Sequence, residues 1–254
     1  MKKQVRNIAE QGFAMVYLNI GGIGFLTSAA GYLAGNLFFL FAGGKGSENK
    51  RFHGAVLGFT AGLLLAFVCL SMLPGVFENF GLAGGIIGLA AGMAAAFFLE
   101  GRSAKMERWK RTSFLLAFGV SVHNIPEGMA LGALLFSNRA LGVSMAVIIA
   151  VHCFPEALAV LTPMRMAGFS RVKILLIALA LALPMCAGAF AGGLLSRAWP
   201  AFADICMSFA AGVMLYMACG DILPESKDVW RGRLSTIGAM AGFLGGVALI
   251  RVLM

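Results

Sequence analysis

The feature that most constrains the fold is a series of long segments without charged residues, and residues 81–99 are the clearest example. They consist only of Gly, Ala, Leu, Ile, Met and Phe. At about 1.5 Å of rise per residue, a helix of this length crosses a hydrocarbon core about 30 Å thick. Charged residues make up only 12% of the chain, against about a quarter in soluble domains. The sequence therefore predicts an all-α membrane protein, because helices satisfy their own backbone hydrogen bonds in lipid.

Similar apolar segments recur along the whole chain, separated by short polar connections. They predict eight transmembrane helices in one transmembrane domain covering residues 1–254, with no soluble domain outside the membrane. The predicted spans are residues 13–42, 54–73, 81–100, 112–136, 142–162, 172–196, 203–224 and 235–254.

The net charge of +9 would suggest nucleic-acid binding in a soluble protein. Here the basic residues flank the predicted spans, so we expect them to set membrane orientation, with no nucleic-acid partner. Fourteen of the 20 Lys and Arg residues lie in the loops after spans one, three, five and seven. The positive-inside rule puts those loops in the cytoplasm and both termini outside it. We expect a multi-pass protein of the plasma membrane or the bacterial inner membrane.

An internal repeat links spans two and seven. Residues 59–74 match residues 209–224 at a constant offset of 150, with identical Phe, Ala, Gly, Leu, Cys, Leu and Pro in register. The two spans cross the membrane in opposite directions, so the copies are inverted. Inverted repeats are typical of secondary transporters, whose substrate site lies near the bilayer midplane.

The chemistry is concentrated in two copies of a His-x-x-Pro-Glu motif. Span four carries His123 and Glu127, and span five carries His152 and Glu156. Residues four apart project from one face of a helix, so two facing motifs supply two imidazoles and two carboxylates. This set suits zinc. A buried ion pair between helices is the alternative for one motif, but two copies at mid-depth favour a metal site.

Three further residues are candidates for contact with the metal. Asn124 and Cys153 each follow a motif histidine and lie about 100° around the helix from it. The Cys153 thiol would favour zinc or cadmium over manganese, or it is simply a small buried apolar group. Asp221, near the inner end of span seven, either receives the ion on its way to the cytoplasm or pairs with Lys227. The third histidine, His53, is expected at the membrane interface.

These motifs and the eight spans resemble the ZIP (Zrt/Irt-like) family of metal transporters along nearly the whole chain. The resemblance rests on residues 123–128, His-Asn-Ile-Pro-Glu-Gly, and on the partner motif at residues 152–156. It implies uptake of zinc, iron or related divalent ions into the cytoplasm. It also implies a 3+2+3 architecture, in which spans one to three and six to eight are inverted repeats around spans four and five.

The resemblance also implies a two-ion site, from which this chain departs. The first ion would be bound by His123, Glu127, His152 and Glu156. The second would use Asn124, both glutamates and two further polar positions, which here hold Cys153 and Leu183. A single dominant site is therefore expected. An acidic position near the end of span two holds Ser71, and the loop 102–111 has no His.

The predicted function is transport, not catalysis. The metal is a transported substrate, zinc first, with iron, manganese and cadmium as further candidates, and no cofactor is expected. An intramembrane zinc metallohydrolase would carry His-Glu-x-x-His on one helix, a string absent from this sequence. A haem protein with His123 and His152 as axial ligands leaves the glutamates without a role. Glycines at 84–88 and 238–246 would permit close helix packing, and hence a homodimer.

Overall fold

The computed structural model describes residues 2–42, 50–102, 108–195 and 202–253. This part of the chain is almost entirely helical and has no strand. The α-helices are α1 Lys2–Ala42, α2 Lys50–Phe67, α3 Leu73–Arg102, α4 Arg108–Ser137, α5 Arg139–Met166, α6 Arg171–Ala180, α7 Ala182–Leu195, α8 Phe202–Tyr216, α9 Leu223–Val229 and α10 Arg233–Leu253. Two π-helical segments, Val68–Met72 and Met217–Ile222, join α2 to α3 and α8 to α9.

Eight stretches of these helices are long and apolar enough to cross a membrane, which confirms the all-α polytopic fold. The protein is thus an integral, multi-pass membrane protein. Spans one to eight are Met15–Phe38, Lys50–Glu78, Phe80–Phe98, Lys110–Ser137, Arg139–Met166, Arg171–Leu195, Asp204–Val229 and Arg233–Val252.

Spans two and seven are longer than predicted, because the helices do not stop at their prolines. Both predicted ends, 73 and 224, lie at or next to a Leu-Pro pair, where the missing N–H and the ring of proline disturb the preceding turn. The disturbance is absorbed by the π-helical segments instead. The N–H of Leu73 donates to the carbonyl of Val68, and the N–H of Leu223 donates to that of Ala218. These two bonds are related by the same offset of 150 as the sequence repeat.

Spans two and three are joined by a sharp reversal at Gly81, inside α3. Its backbone has φ 73° and ψ 165°, a conformation open to glycine because it lacks a Cβ. The predicted loop between residues 73 and 81 is therefore mostly helix, and the chain turns at its last residue.

The spans pack in two sets of pairs. Span two packs along span eight and span three along span seven, while span one packs on span five and span four on span six. An inverted repeat would relate span one to six, two to seven, three to eight and four to five. This exchange turns the contact between spans two and eight into that between seven and three, and the contact between one and five into that between six and four. This is the pattern that a 3+2+3 inverted repeat produces, and it packs spans four and five against spans one, two, six and seven, with spans three and eight farther out.

Burial separates the core from the surface of the bundle. Within their most apolar windows, only 11% of span three and 22% of span eight are buried, against 61% of span four. His53, three residues after the first residue of span two, is 1% exposed, so its side chain packs inside the bundle; its expected place at the membrane interface stays a prediction. Lys45, Lys105 and Arg197, which contribute to the charge count above, lie outside the described residues.

Candidate metal site

The two motifs lie on helices that continue through their prolines. Pro126 is inside α4 and Pro155 inside α5, so each histidine remains one helical turn from its glutamate. His123, Glu127, His152 and Glu156 are all at most 3% exposed. Burying four such groups is costly unless each has a partner, and the structure provides the partners across the helix interface.

The histidines and glutamates pair crosswise between the two helices. His123 Nε2 lies 2.6 Å from Glu156 Oε1, and His152 Nε2 lies 3.1 Å from Glu127 Oε2. His152 Nε2 also lies 3.7 Å from Glu156 Oε1 in its own helix. The four predicted residues therefore form one cluster, in which Glu156 Oε1 is shared by both imidazoles.

The hydrogen bond of His123 to the backbone fixes which ring nitrogen faces the cluster. Nδ1 lies 3.0 Å from the carbonyl oxygen of Gly119, which only accepts hydrogen bonds, so Nδ1 carries a hydrogen. Nε2 is then the nitrogen that binds a proton or a cation next to Glu156. Metal-bound histidines commonly donate their other N–H to a carbonyl in this way.

Asn124 connects the cluster to two other spans. Its amide nitrogen donates to the hydroxyl of Tyr32, 2.7 Å away in span one, and to the carbonyl of Leu181, 3.1 Å away in span six. The Tyr32 hydroxyl in turn donates to Glu156 Oε2 at 3.1 Å. The side-chain oxygen of Asn124 is buried and has no hydrogen-bond partner among the described residues, which leaves it available to a cation.

Cys153 belongs to the cluster by position. One ligand atom from each of His152, Cys153 and Glu156 lies within 4.8 Å of the other two, and the Cys153 side chain is fully buried. The thiol is thus close enough to share an ion with the motif residues. Its tight packing against Gly31, where an added Cβ would overlap Cys153, fits the alternative role of a small apolar group equally well.

A large cavity reaches one side of the cluster. It has a volume of about 470 Å³, and both Glu127 and His152 line it. It extends to Ser71 and to the ends of spans four and seven at Ser137 and Asp204. Glu127 and His152 are thereby the members of the cluster that line this cavity, whereas Glu156 is held between His123 and Tyr32.

Asp221 is separate from the cluster. It is partly exposed in the π-helical segment of span seven, where it lines a second cavity of about 100 Å³ with Gly119 and Met217. Gly119 is also the residue whose carbonyl contacts His123. Asp221 therefore lies beyond His123, away from the cavity that Glu127 lines.

Two contributors to the site were not expected from the motifs. Tyr32 is fully buried against Glu156, and the ring of Phe67 lies 5.4 Å from that of His152. A tyrosine inside a span is a usable signal, because tyrosines of membrane proteins concentrate at the interfaces. Phe67 offers no such signal in a chain with 21 phenylalanines.

Comparison with known proteins gives relatives along most of the chain. The pattern of the family described as ZIP Zinc transporter matches residues 99–254. The zinc transporter ZIPB of Bordetella bronchiseptica is 29% identical over 246 residues, which cover 87% of this chain and 78% of that protein. The zinc transporter ZupT of Corynebacterium glutamicum is 30% identical over 246 residues, covering 85% and 93%. ZupT of Shigella flexneri is 29% identical over 232 residues, covering 83% and 90%.

The matched region begins in the last turn of α3, just after span three, and includes both His-x-x-Pro-Glu motifs. It covers more than half of the chain, and the Corynebacterium relative aligns along nearly its full length. The chain therefore belongs to the ZIP zinc transporter family.

Proposed function

We propose that this protein carries divalent transition-metal ions, zinc first, across the membrane through a site formed by His123, Glu127, His152 and Glu156. The observation that carries the proposal is the crosswise pairing of the two motifs within the bilayer. Each imidazole nitrogen lies within 4 Å of at least one carboxylate oxygen, and His152 Nε2 lies within 4 Å of both glutamates, so the cluster offers a donor set suited to a four-coordinate zinc ion. Asn124 and Cys153 lie at the edge of this set and are proposed as additional contacts. Iron, manganese and cadmium are candidate substrates of the same site.

The two cavities suggest a route for the ion. It enters the 470 Å³ cavity, meets Glu127 and His152 first, and then reaches Glu156 and His123. Asp221 lies next in line, in the smaller cavity beside Gly119. Because the two cavities differ in size and lie on opposite sides of the cluster, movement through the site requires one to close as the other opens. This is alternating access, with the metal as cargo.

The direction is proposed from the distribution of charge. The large cavity extends to residues 71, 137 and 204, at the span ends away from the four most basic loops. With those loops in the cytoplasm, the cavity faces outward, both termini lie outside, and the ion moves inward. This orientation suits uptake across a plasma membrane or a bacterial inner membrane.

An enzyme and a haem protein remain the competing functions, and both explain the cluster less well. A zinc hydrolase needs a glutamate free to activate water, whereas Glu127 and Glu156 are each paired with a histidine. Axial haem ligation by His123 and His152 would need a porphyrin between two rings that instead approach neighbouring carboxylates. Purified protein is expected to show no Soret absorption band.

Lipid and a second copy of the chain are the proposed partners. The outward faces of spans three and eight expose large apolar side chains such as Ile87 and Leu244, which suits contact with acyl chains. The structure gives the homodimer less support than the glycine-rich segments of the sequence did. Gly88 packs on Ser208, while Gly238 and Gly242 pack on span two, so these glycines serve contacts within the chain.

Zinc uptake into vesicles tests the function and its site together. Wild-type protein is expected to accumulate radioactive zinc, and Glu127→Ala and His152→Ala are each expected to lower the uptake rate by at least about tenfold. Removing one partner leaves the other as an uncompensated buried group and deletes a ligand.

Glu78→Ala is the matched control, because Glu78 is an exposed glutamate at the end of span two. It is expected to keep the wild-type rate at equal protein content. Unchanged uptake in both Glu127→Ala and His152→Ala would refute the site, and absence of metal uptake by the wild type would refute the function.

A further inference from the structure

Tyr32 restricts how Glu156 can bind an ion, and we propose that this restriction makes the site prefer zinc to manganese. The inference rests on the proposed transport function. It concerns a residue of span one, outside both motifs, whose hydroxyl connects three spans. Tyr32 is a positioning residue here, since it acts on the ion through Glu156.

The contacts of the Tyr32 hydroxyl leave it little freedom. It accepts a hydrogen bond from Asn124 Nδ2 at 2.7 Å and donates one to Glu156 Oε2 at 3.1 Å. Asn124 is itself held by the Leu181 carbonyl at 3.1 Å. The phenol ring is fully buried, so neither water nor an alternative rotamer easily replaces these bonds. The hydroxyl is therefore fixed in space by spans four and five, and span six holds its partner Asn124.

The two oxygens of Glu156 consequently have different roles. Oε1 lies within 3.7 Å of both imidazoles, whereas Oε2 accepts the hydrogen bond from Tyr32. An ion bound between the histidines can take Oε1 as a ligand, but taking Oε2 as well would weaken a buried hydrogen bond to a charged group, which is among the stronger kinds, because ion and hydroxyl would then draw on the same oxygen. Tyr32 thus keeps Glu156 in one-oxygen coordination.

Coordination number then discriminates between ions. Zinc is satisfied by four ligands, here two nitrogens and one oxygen from each glutamate. Manganese prefers about six ligands, chiefly oxygens, so it benefits from a carboxylate that binds through both oxygens. Holding Oε2 away from the ion penalises manganese and leaves zinc unaffected.

Metal uptake by Tyr32→Phe tests this selectivity. The variant keeps the ring and removes the hydroxyl, which frees Oε2. The ratio of manganese to zinc uptake, measured in vesicles containing both ions, is expected to rise about tenfold, the scale of one hydrogen bond to a charged group. Zinc uptake alone is expected to change by no more than about threefold, because its four ligands remain. A general packing defect would lower both rates together.

Tyr17→Phe is the matched control in the same span, since Tyr17 is also buried and its ring stacks on Phe136 with centroids 5.8 Å apart. It is expected to keep the wild-type ratio. Replacing Tyr32 by 3-fluorotyrosine, which retains the hydroxyl, is expected to keep it too.

A wild-type ratio in Tyr32→Phe, or loss of uptake of both ions in it, would overturn the role of Tyr32 while leaving the transport function standing. Uptake that survives Glu127→Ala and His152→Ala would refute the site instead.

A measurement on the wild-type protein does not depend on whether the Tyr32→Phe variant folds. X-ray absorption of bound zinc is expected to give about four nitrogen or oxygen neighbours near 2.0–2.2 Å, or about five if Asn124 binds as well, and six or more would contradict one-oxygen coordination by Glu156.

Discussion

The contact between His123 and Glu156 places two acceptors 2.6 Å apart, since Nδ1 of the same ring already holds its hydrogen for Gly119. Such an approach is stable only with a proton shared between the nitrogen and the carboxylate, because a zinc ion bonded to both at about 2.0–2.2 Å would hold the two atoms farther apart. Binding of a metal therefore displaces a proton from this position. The same residues that bind zinc also bind protons, so protons compete with zinc for the site.

Cys153 provides a prediction about soft ions at this scale. Cys153→Ser keeps the size of the side chain and replaces a soft donor by a hard one, so cadmium uptake is expected to fall about tenfold relative to zinc uptake. Both rates are measured in vesicles against Cys206→Ser, whose thiol faces Met129 Sδ at 3.7 Å. Equal losses for the two ions would show that the thiol contributes packing alone.

At the scale of helices, close backbone contacts between spans two and eight depend on glycine. A Cβ added at Gly62 would overlap the backbone carbonyl of Ala239, and one at Gly242 would overlap that of Phe59. Larger residues at these positions must push the spans apart, because protein interiors are already close-packed. Spans two and eight can therefore pack this closely only because glycine, which has no side chain, occupies these positions.

Gly62→Ala tests that packing. Overpacking of a tight contact costs about 1–3 kcal/mol, so the apparent Tm of the purified protein is expected to fall by about 3–10 °C. Gly22→Ala serves as the control, because a Cβ there meets nothing within 4 Å. It is expected to leave the Tm unchanged or raise it slightly, since alanine favours helix. A drop of equal size in both variants would contradict the packing argument.

The sequence predicted the helices well and their interruptions poorly, and it named four residues that the structure brings into one cluster. Spans and the repeat follow from apolar length and from matches at fixed offset, both of which are local properties. The π-helical segments before Pro74 and Pro224 were missed, because proline was read as an end when tertiary packing carries the helix through it. Tyr32 was missed because its partners lie 92 and 124 residues away, a separation that no local pattern reports.

For the molecule as a whole, the difference in volume between the two cavities indicates which conformation the structure represents. A cavity of about 470 Å³ reaches Glu127 and His152, against one of about 100 Å³ near Asp221. The structure thus corresponds to a state in which the site communicates with one side of the membrane. In the orientation proposed above, that side is the outside.

Cysteine labelling of Ser71→Cys tests both the cavity and the orientation. In a background with Cys69, Cys186, Cys206 and Cys219 replaced by serine, a membrane-impermeant thiol reagent is expected to modify position 71 from the outside. Zinc is expected to slow the reaction, because position 71 lines the cavity that leads to Glu127. Thr60→Cys, fully buried in the same span, is expected not to react. Faster modification from the cytoplasmic side would invert the proposed orientation.

The paired π-helical segments also bear on the ancestry of the chain. A π turn closes its hydrogen bond one residue later than an α turn, so each segment accommodates one extra residue in its helix. Both copies carry it at the same distance before their Leu-Pro pair, with bonds at Val68 and Ala218. Two separate insertions at one equivalent point are a less economical history than one insertion inherited by both halves. If the two halves arose by duplication, the simplest account is that the π-helical segment was already present in the copied unit.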